Sequence, residues 1–253
     1  MRRRVRREYK GVVMKVFISA DIEGVAGISQ WDETDHEHMR GKYYADAHDS
    51  ARNLNVRQLP EEVTFVRGWA RSPMSMMETL DDSFDAVIFI GYHSAAYTSF
   101  NPLSHTMSSR KYQKIVLNGE ICSEFKINSY LSYYHGVPIV AISGDRGICE
   151  EARRFDSNIL TVATQYGIGN STVSIHPEKS FKAIKEMVRQ ALKQPLDNRQ
   201  TTLPQHFELQ IEYKQIADYH AASFYPGVEK VDARTLSFKS DDFYEVARAI
   251  MFM

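Results

Sequence analysis

Residues 15–24 read KVFISADIEG, a short apolar run over 16–19 that breaks into Asp21, Ile22, Glu23 and Gly24. An apolar run closed by a turn signal is the pattern of a buried strand entering a loop, so two carboxylates stand at the strand's carboxyl end. The run 86–90, AVIFI, has the same style and delivers Gly91, Tyr92 and His93 at its own end. Strands that are apolar throughout belong to a sheet covered on both faces, and open α/β sheets collect function at their carboxyl ends. The fold class expected is therefore α/β: a three-layer domain with a mainly parallel central sheet, plus a smaller C-terminal α+β domain.

Working outward, 63–66, 115–117 and 137–142 read as further short strands. Met74, Met77 and Leu80 recur about one turn apart behind Pro73, which predicts a helix over 72–80 leading into AVIFI. A second helix is predicted over 122–135, stopped by Gly136 and Pro138. A third spans 177–193, with Pro177 in its first turn and Phe181, Ile184, Val188 and Leu192 on one stripe. Residues 194–204 are polar and unpatterned, a linker. Beyond it Phe207, Leu209, Ile211 and Tyr213 alternate with Glu208, Gln210 and Glu212, the period of a half-exposed strand. The tail 235–253 reads as a strand and then a helix capped by Ser240. The domains expected are a basic extension over 1–13, a metal-binding α/β domain over 14–193 and the α+β domain over 205–253.

A chain of 253 residues that is 43% hydrophobic can bury a sizeable core. Its formal net charge of -1 gives no field to attract nucleic acid or anionic lipid, which leaves small molecules and peptides as partners. Cys122 and Cys149 match no zinc-finger spacing and no disulfide framework, so a reducing cytoplasm is the expected location. The arginine-rich stretch 1–13 lacks the apolar segment of a secretory signal, and no run approaches the roughly 20 apolar residues of a membrane span.

The chemistry gathers in a few side chains. The strand ends supply Asp21, Glu23 and His93, and the stretch 46–50, DAHDS, adds His48. Glu124 falls in the first turns of the helix over 122–135, where the helix dipole stabilises negative charge. Residues two apart on a regular strand face one side, so Asp21 and Glu23 can serve one pocket. Clustered carboxylates repel each other, and the remedies are raised pKa values or a bound cation. Any one of these residues alone is more often a cap or turn residue; their combination points to a metal centre. Glu120, one helical turn before Glu124, stays open as an alternative ligand. His36 and His38, in the charged run DETDHEH, read as a solvated loop, and Asn118 and Asn128 are candidates for orienting substrate.

These residues lie in segments that resemble the DppA-type zinc-dependent D-aminopeptidases: SADIEGVAG (19–27), DAHDSARN (46–53), GYHS (91–94), LSHTM (103–107) and GEICSEFKINSY (119–130). The stretch 225–246 resembles that family's second domain. The resemblance implies two zinc ions bridged by Asp21, with Glu23 and His93 completing one and His48 and Glu124 the other. It also implies a catalytic role for His105, as proton relay or oxyanion stabiliser. The activity implied is hydrolysis of short peptides with N-terminal D-amino acids through zinc-bound hydroxide, within a ring-shaped homo-oligomer that is a decamer in the family. One departure stands out: where the family has a helix and a strand, only residues 42–45 separate Gly41 from Asp46. The second strand/helix unit is read as deleted. Two other readings compete, a two-metal phosphoesterase and a non-catalytic paralogue impaired by that deletion.

Overall fold

The computed structural model describes residues 14–34, 56–196, 199 and 201–253. Two five-stranded sheets organise them. The first runs in the order β1 (Val16–Ala20), β2 (Ala86–Tyr92), β5 (Ile139–Asp145), β6 (Leu160–Ile168) and β7 (Ser171–Ser174). Its first four strands are parallel and only β7 is antiparallel. The second sheet has the order β4 (Glu120–Ile121), β3 (Tyr112–Leu117), β8 (Phe207–Tyr213), β10 (Thr235–Ser240) and β9 (Val228–Lys230), all antiparallel. Five helices accompany them: α1 (Glu124–Tyr134), α2 (Arg146–Phe155), α3 (Pro177–Ala191), α4 (Ile216–Ala222) and α5 (Phe243–Phe252). This is the mixed α/β architecture expected from the sequence, with a mainly parallel sheet and a second, antiparallel one.

Alternation within β2 explains why AVIFI is apolar throughout. Val87 and Phe89 join the main core, with Phe125 and Leu131 of α1 and, from the second sheet, Ile115, Leu209, Ile211 and Leu236. Ala86 and Ile88 face the other way, onto Met187 and Ala191 of α3. Both faces of the strand are thus removed from water, at roughly 25 cal/mol per Å² of apolar surface. Helix α1 lies between β2 and α5 and is buried along most of its length, so its first residue, Glu124, starts inside the protein. Strand β1 differs. Phe17 and Ser19 are buried, but Ile18 is 60% exposed on the edge strand of the described sheet.

Several local expectations change. Residues 63–66 form no strand, and Val63 and Val66 are exposed. Over 72–80 the predicted side chains Met74, Met77 and Leu80 do bury, but through a single 3-10 turn at Ser75–Met77 between left-handed residues Ser75 and Thr79. Phe181 of α3 points to solvent, while Ile184, Val188 and Leu192 pack on the core as predicted. Helix α5 is capped by Asp242, whose carboxylate accepts from the Tyr244 N–H; Ser240 instead accepts from the Asp242 N–H. No helix among the described residues is long and apolar enough to cross a membrane.

Candidate metal centre

Parallel pairing of β1 with β2 sets Ala20 opposite Ile90, so the loops that follow the two strands emerge side by side. Asp21 continues the ladder for one bond, its N–H reaching the Ile90 carbonyl at 2.7 Å. Glycine at two positions lets the strand ends close up. Gly91 has φ of +74°, and a Cβ there would lie 2.1 Å from the Asp21 carbonyl oxygen; one on Gly24 would lie 1.8 Å from that of Tyr92. No side chain fits at either contact.

Into this closure the chain brings Asp21, Glu23, His93, His105 and Glu124, all buried. The His93 Nε2 atom lies 3.4 Å from Asp21 Oδ2 and 3.7 Å from Glu124 Oε1. His105 stacks on His93 with ring centroids 4.2 Å apart and planes 10° from parallel, and its own Nε2 lies 3.5 Å from Glu124 Oε1. Two sets of donor atoms, each within 4.8 Å of one another, could hold a metal: Asp21 with His93 and Glu124, and Glu23 with His93 and His105. Ser123 caps α1 by accepting from the Lys126 N–H, which fixes where the helix starts and hence where Glu124 projects.

The histidine tautomers sharpen the chemistry. His93 Nδ1 lies 2.9 Å from the Ser94 carbonyl and His105 Nδ1 2.9 Å from the Leu103 carbonyl. A carbonyl only accepts, so each Nδ1 carries its proton, and in a neutral ring Nε2 is then a lone pair. In that tautomer each Nε2 meets carboxylate oxygens acceptor to acceptor, a contact relieved by positive charge between them, either a bound cation or a second proton on the ring. Among the described residues His93 Nε2, fully buried, makes no hydrogen bond. The same crowding acts on Glu23: burial first, then the charge of Asp21 and a hydrogen bond with it, then the charge of Glu124, raise its pKa well above the ordinary carboxylate value. Nitrogen and oxygen donors of this kind suit zinc.

A buried polar network holds the two loops. Asp145, at the end of β5, accepts from the Ser94 N–H and the Ser94 hydroxyl, both at 2.6 Å, and from the Ile148 N–H at 2.9 Å. Asn101 Nδ2 bridges this carboxylate, at 3.2 Å, to the Glu23 carbonyl at 2.8 Å. Gln165 Nε2 donates to the same Glu23 carbonyl and to that of Ile28. Sequence reasoning did not find Asn101, Asp145 or Gln165, because isolated polar residues joined over long separations leave no local pattern.

Of the residues named from sequence, Asp21, Glu23, His93, His105 and Glu124 come together, and His105 also falls within ligand range. His48 lies outside the described residues, as do His36 and His38. Glu120 does not reach the site: a β-hairpin, β3 to β4, comes before the helix, and Glu120 projects outward, 76% exposed, to Lys126 Nζ at 2.5 Å. Asn118 holds β8 at its edge through the Glu208 N–H and the His206 carbonyl. Asn128, one turn after Glu124, donates to the Tyr92 hydroxyl, which also bonds Ser19.

A family model described as D-aminopeptidase matches residues 14–45 and 43–252. A D-aminopeptidase of Bacillus subtilis (strain 168) is 27% identical over 267 aligned residues, covering 95% of this chain and 96% of that protein. The solved structure of a "Zn-dependent D-aminopeptidase DppA from Bacillus subtilis, a self-compartmentalizing protease" superposes with a TM-score of 0.83 at 26% identity, over 94% of this chain and 96% of that one.

Proposed function

Since the chain belongs to the D-aminopeptidase family, we propose that it is a zinc-dependent aminopeptidase releasing N-terminal D-residues from short peptides. The observation that carries this reading is the buried His93 Nε2, turned without a hydrogen bond toward the carboxylates of Asp21 and Glu124. Asp21, Glu23, His93 and Glu124, with His48, would hold two zinc ions, Asp21 serving as the bridge. Zinc in such a site polarises a carbonyl and lowers the pKa of water to about 7.

The chain's own groups do the rest. Asp21 and Glu124 would offset the charge of the ions, and the buried surroundings would exclude bulk water from the carbonyl under attack. With Nδ1 donating to the Leu103 carbonyl, Nε2 is the basic nitrogen of the neutral His105 ring, 3.5 Å from Glu124 Oε1. We assign it the proton released when water adds to the scissile carbonyl; it returns that proton to the departing amine as the C–N bond breaks.

A ring-shaped homo-oligomer, a decamer in the family, and a cytoplasmic location complete the proposal; the former draws on the self-compartmentalizing relative. We propose a metal-binding domain over 14–193 and a C-terminal domain over 205–253, whose sheet is completed by β3 and β4 of the first. The meeting of the two family-model segments at 43–45, and the exposed Ile18 on β1, support a strand/helix unit lost between Gly41 and Asp46. Parallel assays on D-alanyl dipeptides, their L counterparts and a phosphate ester test the activity. D-selective peptide hydrolysis is expected; ester turnover alone, or no turnover by zinc-loaded protein, would refute it.

A further inference from the structure

We propose that Trp31 forms the wall of a subsite for an apolar side chain on the residue that follows the scissile bond, making it a specificity-determining residue. The inference rests on the aminopeptidase reading and adds to it the substrate feature that this chain selects.

The cluster of Asp21, Glu23, His93, His105 and Glu124 is buried, whereas Trp31 is 42% exposed and meets the His105 ring edge to face, centroids 5.3 Å apart at 68°. Trp31 thus stands where the buried site gives way to solvent. Exposed aromatic side chains are ordinary on a protein surface, so it is the contact with the His105 ring that singles Trp31 out.

Polar contacts hold the Trp31 segment and leave the indole out. The Ser29 and Gln30 N–H groups donate to Glu33 Oε2 at 2.8 and 2.9 Å, and the Thr34 hydroxyl donates to the Trp31 carbonyl at 2.7 Å. Gln165 fixes the preceding Ile28 carbonyl at 3.0 Å. The indole is therefore presented on a braced turn, so little ordering entropy remains to oppose contact with a ligand.

Chemistry gives the side of the substrate. In the aminopeptidase reading the carbonyl under attack belongs to the N-terminal residue, so that residue lies on the side of Asp21, His93 and Glu124. His105 returns the proton to the departing amine, so the residue bearing that amine lies beside His105, and its side chain comes against Trp31. An apolar chain there removes exposed indole from water, which glycine cannot do.

The sequence contains two tryptophans, Trp31 and Trp69, so W69F leaves Trp31 as a lone reporter. Zinc-loaded wild type, W31F and W31A are compared on D-alanyl-leucine and D-alanyl-glycine. In W31A the ratio of kcat/KM for the leucine over the glycine substrate is expected to fall about tenfold, chiefly through KM, while W31F keeps most of the preference. Equal loss on both substrates would mean a purely structural role and would overturn the proposal. Rapid-mixing fluorescence of zinc-loaded W69F gives an arm independent of turnover. A saturable emission change with D-alanyl-leucine, larger than with D-alanyl-glycine, is expected. That change in protein that hydrolyses neither dipeptide would sink the proposed reaction and keep the subsite. Absence of the change, with or without turnover, would overturn the subsite.

Discussion

Met107 donates its backbone N–H to Glu124 Oε1 at 2.7 Å, latching the loop that carries His105 onto the first residue of α1. Met107 adopts φ of +62° to do so, a left-handed conformation uncommon outside glycine. The same Glu124 oxygen lies near both His93 and His105, so one carboxylate shapes the loop and is placed for the proposed metal binding.

That double duty is separable. E124Q keeps an oxygen for the Met107 N–H, so it is expected to lose zinc while unfolding within about 1 kcal/mol of wild type; E124A should lose zinc and a further ~1–2 kcal/mol, the cost of an orphaned buried N–H. Denaturant melts of zinc-free protein alongside elemental analysis check the split.

Asp21 and His105 should differ in metal content. In the proposed centre Asp21 would be shared by both ions, so D21A is expected to retain almost no zinc, whereas H105A keeps most of it and loses turnover. Equal zinc in the two variants would count His105 among the ligands, as its proximity to Glu23 and His93 allows.

Among the described residues Asp145 hydrogen-bonds to no candidate ligand side chain, yet it holds the segment after His93 and, through Asn101, the backbone of Glu23. Replacing the carboxylate by an amide turns an NH₂ group toward donors. D145N is expected to lose about 3 kcal/mol of stability, and zinc affinity should fall roughly 10–100-fold, measured by competition with a chelator.

Glu151 supplies a pH signature outside the candidate ligand cluster. It lies in the middle of α2, accepts from the Ser123 hydroxyl at 2.7 Å, and burial raises its pKa despite that bond and the charge of Lys126. The folded state therefore binds this proton more tightly than the unfolded state. The associated stability is full below the ordinary carboxylate range and declines as pH rises through the raised value. E151Q should melt above wild type near about pH 8, with the gap closing toward about pH 4. A gap that is constant over that range would contradict the assignment.

The parts of the fold legible in sequence were those where burial writes a period. AVIFI predicted β2 because both faces of that strand are covered, and 207–213 predicted β8 because one is. At 72–80 the three-residue spacing of Met74, Met77 and Leu80 fits a 3-10 turn as well as a helix, so buried residues were readable and geometry was not. Glu120 stayed open as an alternative ligand because it stands four positions before Glu124, a spacing that matters only within one helix; its place in the β3–β4 hairpin is a tertiary choice. Asp21, Glu23, His93 and Glu124 were visible as chemistry at element ends. Trp31 gave no signal, since its meaning comes from contact with His105, 74 residues further on in the numbering.

Zinc-edge anomalous diffraction from zinc-loaded crystals tests the central claim most directly. Two peaks per chain are expected, with the Asp21 carboxylate between them and His93 Nε2 and Glu124 on its flanks. Well-ordered crystals with no anomalous peak among Asp21, His93 and Glu124 would contradict the account.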